Sequence, residues 1–232
     1  MKKINAFSLA EIVVTLMIIG VISAMTLPSL RDTAEKKELA AGLQKAYSTL
    51  NQAVTRMELE NGPVGKTRYW TVATEFWPLF TKELNTMKVC NPGQKGCFTT
   101  GTIKALNGND WANYETQGYS VRTADGISYT YTTSLCTQEK AISDEDMKNN
   151  FGRFVVDVNG EKGPNKFGED VYFFCIVKEK GIVPAGSDTT KGDDCYRKGN
   201  GISCAAKVLK AGKIDYPLES ATGNTDDKNK KN

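Results

Sequence analysis

No charged residue interrupts the chain from Ile12 to Leu27. If residues 7–30 are helical, that run is a rod about 36 Å long at roughly 1.5 Å per residue. A bilayer core is about 30 Å thick, so the pattern predicts a transmembrane helix over 7–30. Beyond it the pattern turns amphipathic. Leu39, Leu43, Ala46, Tyr47, Leu50, Ala53, Val54 and Met57 recur at three- and four-residue steps, with Arg31, Lys36, Lys37, Glu38, Lys45 and Arg56 between them. This predicts a helix over 31–60, stopped by Asn61-Gly-Pro63. Pro28 lacks a backbone N–H and is the place where the rod would kink or be interrupted.

Residues 61–221 read as a strand-rich head. A short helix is expected over 74–87, with Phe76, Trp77, Phe80 and Leu84 on one side and Pro78 in its first turn if it starts near Glu75. Gly, Asn and Thr dominate from Cys90 to Asn113, which predicts loop with short strands. Strands are expected over 119–122 and 127–133, around the turn Asp125-Gly126. Ser143 opens a helical turn, Asp144 to Lys148. The strongest strand signals are Phe154–Val158 and Asp170–Val177, both rich in β-branched and aromatic residues. After Gly181 the chain reads as loop, with a last strand or turn over 205–214, and the polar stretch 222–232 reads as a disordered tail. The fold class is α+β, a long N-terminal helix packed on an antiparallel sheet.

Composition narrows the chemistry. The 232 residues suffice for one membrane helix and one ordinary domain. There is no histidine, which excludes Ser-His-Asp, Cys-His and zinc-histidine sites. Lys2 and Lys3 supply two of the three net positive charges, so nothing argues for a broad nucleic-acid face. Cys90, Cys97, Cys136, Cys175, Cys195 and Cys204 all follow the apolar run, and none forms a CxxC pair. An even number on an exported side suggests disulfides, though many connectivities are open. The pairing expected is Cys90–Cys97 and Cys195–Cys204 as local clips, with Cys136–Cys175 joining two strands. Free thiols in a reducing compartment are the alternative.

Glu11 stands near the start of the apolar run, where a carboxylate in a membrane segment costs a few kcal/mol and hints at function. A secretory signal peptide cut after Ile22-Ser-Ala24, or a plain anchor, gives Glu11 no purpose. A cut between Ala6 and Phe7 keeps the apolar helix on the mature chain and creates an α-amino group close to Glu11. Ala6 followed by Phe7-Ser-Leu-Ala-Glu11-Ile-Val-Val-Thr-Leu resembles the type IV pilin and type II secretion pseudopilin family. Ala6 departs from the usual Gly, and Ala10 from a bulkier apolar residue. Pro28 sits where the family's long helix commonly bends.

The resemblance implies a pilin-like fold: leader 1–6, transmembrane and assembly helix 7–30, amphipathic second half 31–60, head 61–221 and tail 222–232. It implies cleavage after Ala6 and methylation of Phe7 by a prepilin peptidase. It also implies a single pass through the inner membrane with the head outside, Lys2 and Lys3 staying inside. The subunit would then polymerise with other pilins or pseudopilins on an assembly platform, as part of a type IV pilus or a secretion filament. It would be no enzyme and would have no catalytic residue. Glu11 would set register, meeting either a neighbour's amine or its own. Two other functions are weighed. One is a minor subunit whose head binds a surface, DNA or cargo through Trp70, Trp77, Trp111 and Tyr114. The other is an exported soluble protein, an enzyme included, behind a signal peptide. The stretch from Asp157 to Asp170 resembles the strand-loop-strand of pseudopilin-like heads and offers Asp157, Asn159, Glu161, Asn165 and Asp170 as oxygen ligands. Calcium takes six to eight oxygens, and some major pseudopilins hold it in a head loop. The spacing is no EF-hand, since Gly160 falls at the fourth position. The plainer alternative is a hairpin turn whose Asx side chains bond their own backbone.

Overall fold

The structure, a computed structural model, describes residues 8–134, 136 and 142–216, with only the backbone described over 25–32. The expected leader and Phe7, the side chain of Pro28 and the expected tail 222–232 lie outside this description. The elements run α1 (Leu9–Asn61), α2 (Ala73–Lys82), β1 (Thr86–Cys90), β2 (Ile103–Lys104), β3 (Asp110–Ala112), β4 (Tyr119–Thr123), β5 (Ser128–Thr132), α3 (Asp144–Lys148), β6 (Asn150–Asp157), β7 (Val171–Val177), β8 (Gly181–Pro184) and α4 (Cys204–Ala211). The chain divides after Glu38 into an N-terminal unit and a head unit beginning at Leu39.

In the N-terminal unit the helix assignment runs through position 28 without a break. Leu9, Ile12, Val13, Val14, Leu16, Met17, Ile18, Ile19, Val21 and Ile22 are all exposed, so every face of this stretch is apolar and uncovered. Among the described residues no helix is long and apolar enough to cross a membrane. The transmembrane helix expected over 7–30 is therefore not found among them.

In the head unit the amphipathic stripe does what its spacing predicts. Leu39, Leu43, Ala46, Leu50, Ala53, Val54 and Met57 are buried, and Tyr47 stacks on Phe174 with ring centroids 5.7 Å apart. They cover one face of a six-stranded antiparallel sheet of order β1-β4-β5-β6-β7-β8. Alternation sorts the central strands between two faces. Phe154, Val156, Tyr172, Phe174 and Ile176 join the cluster that holds α1, whereas Val155, Val171 and Phe173 join a second cluster with Phe98, Ile103 and Tyr114. β7 is buried along its whole length because both faces are covered.

Three expectations are corrected. The helix over 74–87 ends at Lys82, and Thr86–Cys90 is the edge strand β1, paired with β4 through Val89–Val121. That helix also begins at Ala73, which puts Pro78 inside it and not in the first turn. Residues 181–184 form strand β8, antiparallel to β7, where loop was expected. Residues 204–211 form α4 where a last strand or turn was expected. Cys204, Ala205 and Val208 recur at helical spacing and are buried, and left-handed Gly212 caps the end.

Candidate functional site

Two places carry candidate chemistry, one in each unit. At the helix start, Ser8 and Glu11 form a reciprocal capping box. The Ser8 N–H donates to Glu11 Oε2 at 2.8 Å, and the Glu11 N–H donates to Ser8 Oγ at 3.3 Å. Two N–H groups that the first turn leaves orphaned are thereby satisfied. Ser8 went unnoticed in the sequence, although Ser-x-x-Glu before an apolar run is the signature of this motif. Glu11 thus has a local reason to stand third in the helix. One carboxylate oxygen is committed to the cap, and Oε1 has no partner among the described residues. Ala6 and Phe7, the expected cleavage and methylation positions, lie outside the described residues.

In the head, β6 and β7 end on the pair Asp157–Val171, and the connector between them folds back on two carboxylates. Asp157 Oδ1 accepts from the N–H of Asn159 at 3.2 Å and of Gly160 at 2.9 Å. Asp170 Oδ2 accepts from the N–H of Asn165 at 2.9 Å and from Asn159 Nδ2 at 3.2 Å, while its Oδ1 accepts from the N–H of Lys166 at 2.8 Å. The Asx-turn expectation is met by these bonds. Asn165 takes a left-handed φ of 55°, and its carbonyl accepts from the N–H of Lys104, which ties the loop to β2.

The bonds do not use every acceptor. Asp157 Oδ2, Asn159 Oδ1 and Asn165 Oδ1 are buried without a hydrogen-bond partner. A buried unpaired acceptor costs about 1–3 kcal/mol, so three in one loop need an explanation. Both carboxylates are fully buried. Burial, and then the neighbouring Asp170 charge, push the Asp157 carboxyl well above the ordinary carboxylate range. Burial raises Asp170 to about 6, against the pull of its backbone donors. Arg122 is the cation that acts on Asp157. Oxygens of this kind are the donors a hard divalent cation takes. Asp157, Asn159 and Asn165 are the residues that could offer them, while Asp170 spends its oxygens on the loop's own donors. Glu161 leaves the expected set, because its carboxylate sits 2.9 Å from Arg122 at the rim.

The six cysteines pair as Cys90–Cys97, Cys136–Cys175 and Cys195–Cys204. The second bridge joins β7 to a loop residue, not to a second strand, since Cys136 lies beyond β5. Among the described residues the one trio of acidic and thiol groups is Asp194, Cys195 and Cys204. Its sulfurs are spent in a disulfide, and Asp194 accepts from the N–H groups of Ile202 and Ser203, so the trio shapes a loop and leaves no metal set. Of the aromatic residues offered for binding, Trp70, Trp77 and Tyr114 are buried in the core, and Trp111 alone reaches the surface.

No family model, no curated protein and no solved structure matches this chain.

Proposed function

We propose that the chain is a structural subunit of the pilin or pseudopilin kind, cut after Ala6, methylated at Phe7 and polymerised through its N-terminal helix. The observation that carries this reading is a helix start that is apolar on every face yet holds one ordered carboxylate. Leu9 to Ile22 need a solvent other than water, and a bilayer or a bundle of identical helices meets that need equally well. Glu11 keeps one oxygen for its own cap and presents the other to a partner, which suits a neighbour's α-amino group. The subunit waits in the inner membrane with its head outside. The three disulfides suit that oxidising side. Mass spectrometry of the chain isolated from cells with a prepilin peptidase tests the reading. An N-methylated Phe7 supports it, and a new N-terminus at Met25 overturns it in favour of a cleaved signal peptide.

The head of this subunit binds calcium in the β6–β7 loop. The support is the set of buried acceptor oxygens on Asp157, Asn159 and Asn165 that the protein itself leaves unused. Calcium is expected to raise the melting temperature of the wild type, chelation to reverse the rise, and Asp157→Asn to abolish the response. An equal response in Asp157→Asn would place the ion elsewhere.

A further inference from the structure

Asp157 has a cation in its own row of the sheet that it does not bond. Arg122 on β4 pairs with Ser128 on β5, and Ser128 pairs with Asp157 on β6. Residues directly opposite each other in an antiparallel sheet share a face, so the three side chains stand in one line across it. Neighbouring strands are about 4.8 Å apart, which puts Arg122 and Asp157 about 10 Å apart at the backbone. The arginine side chain lies along that line, since its Nε donates to Ser128 Oγ at 3.3 Å.

The guanidinium nevertheless stops short of the carboxylate. Its Nη1 donates to Glu161 Oε1 at 2.9 Å, on the exposed side of the β6–β7 connector. Its Nη2 is buried without a hydrogen-bond partner, and so is Asp157 Oδ2. The loop itself delivers Glu161 to this place. Gly160 takes φ +69°, gives its N–H to Asp157 Oδ1 and lies so close to the β4–β5 turn that a Cβ on it would stand 2.8 Å from the Gly126 carbonyl oxygen. Burial raises the Asp157 carboxyl most, and the Arg122 charge pulls it the other way, so the two groups feel each other without bonding. A buried cationic N–H and a buried carboxylate oxygen on one line, both unpaired, form an ion pair left open, and each unpaired group is costly. A second cation on Asp157 would close the account of the carboxylate, and it would be repelled by a guanidinium that came nearer.

We propose that Arg122 is the built-in competitor of the cation in the β6–β7 loop, and that Glu161 keeps the site open by holding the guanidinium at the rim. The inference rests on the calcium reading given above. It makes Glu161 a positioning residue that acts on the ion through Arg122 and does not ligate it. In the ion-free head Arg122 supplies the positive charge near Asp157, and the ion takes over that task on binding.

The test is calorimetric titration of the full, disulfide-intact chain in zwitterionic lipid nanodiscs with calcium chloride, together with melting temperatures in chelator and in saturating calcium. Arg122→Gln is expected to bind calcium about tenfold more tightly than the wild type, and Glu161→Gln about tenfold more weakly. In the double variant Arg122→Gln/Glu161→Gln the loss due to Glu161→Gln is expected to vanish, because it acts only through the arginine. In chelator Arg122→Gln is expected to melt below the wild type, and in saturating calcium that deficit should close. A purely structural arginine would leave the same deficit in both conditions, which overturns the proposal. So does a double variant that binds as much more weakly than Arg122→Gln as Glu161→Gln does than the wild type, for Glu161 would then be a calcium ligand. Equal calcium affinity in the wild type and Arg122→Gln overturns this proposal alone, whereas calcium binding by neither overturns the calcium reading and the proposal with it.

Discussion

Glu11 has a local task in the helix cap, and two substitutions separate it from the proposed assembly task. Glutamine also serves at the third position of a capping box, so Glu11→Gln keeps the helix start while removing the charge. Ser8→Ala does the reverse: it loses a cap worth about 1 kcal/mol and keeps the carboxylate. If the charge sets register, Glu11→Gln disappears from sheared, sedimented filaments while Ser8→Ala still enters them. Normal incorporation of Glu11→Gln would reduce the residue to a cap. Asp125 offers a second residue-scale test in the head. Burial raises its carboxyl, but the Lys45 ammonium at 2.8 Å and the Thr123 hydroxyl outweigh burial and hold it below the ordinary range. A carboxyl depressed in the folded state stabilises above its unfolded pKa of about 4, and that contribution is lost as pH falls through the folded value. Asp125→Asn is expected to cost about 0.5–1 kcal/mol at pH 7, as for a half-exposed ion pair. The difference in melting temperature should shrink as pH falls below the unfolded value and close once the pH has passed the lower folded value, where the native carboxyl protonates.

At the scale of elements, helix α1 lies close to the sheet because Gly42 lets it. A Cβ at Gly42 would lie 3.2 Å from Val158 Cβ, just where β6 leads into the β6–β7 loop. Gly42→Leu overpacks this crossing and is expected to cost about 1–3 kcal/mol by denaturant unfolding. It should weaken the calcium response along with stability, since the displaced residue follows Asp157. The buried stripe of α1 was legible in sequence because helical periodicity is local, and so were β4 to β7, whose β-branched and aromatic runs face two covered layers. The misread segments have weaker local signals. Thr86-Met-Lys-Val89 continues a helical-looking run, and its strand state comes from pairing with β4, a partner distant in sequence. Ala205 to Ala211 has helical spacing, but too few residues for the period to stand out. Of the sites, the ligand types at Asp157, Asn159 and Asp170 were legible. Which oxygens stay unused was not, because that depends on the backbone donors the loop brings round, and those donors leave Asn165 with a free oxygen while occupying Asp170.

For the whole molecule, the exposed helix start and the bridged head place opposite demands on the surroundings. Covering the apolar side chains from Leu9 to Ile22 is worth on the order of 10 kcal/mol, taking half of the usual 1.5–3 kcal/mol for each. That sum favours the bilayer or helix bundle proposed above as the surroundings of this segment. The three bridges of the head suit an oxidising compartment, and they differ in weight. Cys136–Cys175 closes a separation of 39 residues, whereas Cys90–Cys97 closes 7. By the loop-closure relation the long bridge contributes about 3.9 kcal/mol and the short one about 2.4 kcal/mol. Replacing Cys136 and Cys175 together by alanine is therefore expected to lower the unfolding midpoint roughly one and a half times as far as replacing Cys90 and Cys97. The long bridge also ties buried β7 to the segment after β5, so its loss should open the sheet first, with faster amide exchange along β7. A subunit that carries mechanical load through its head needs that tie more than a free-standing binding protein does. Filaments built with the Cys136/Cys175 variant should accordingly shear at lower force than filaments built with the Cys90/Cys97 variant, and equal strength would mean that load bypasses the sheet.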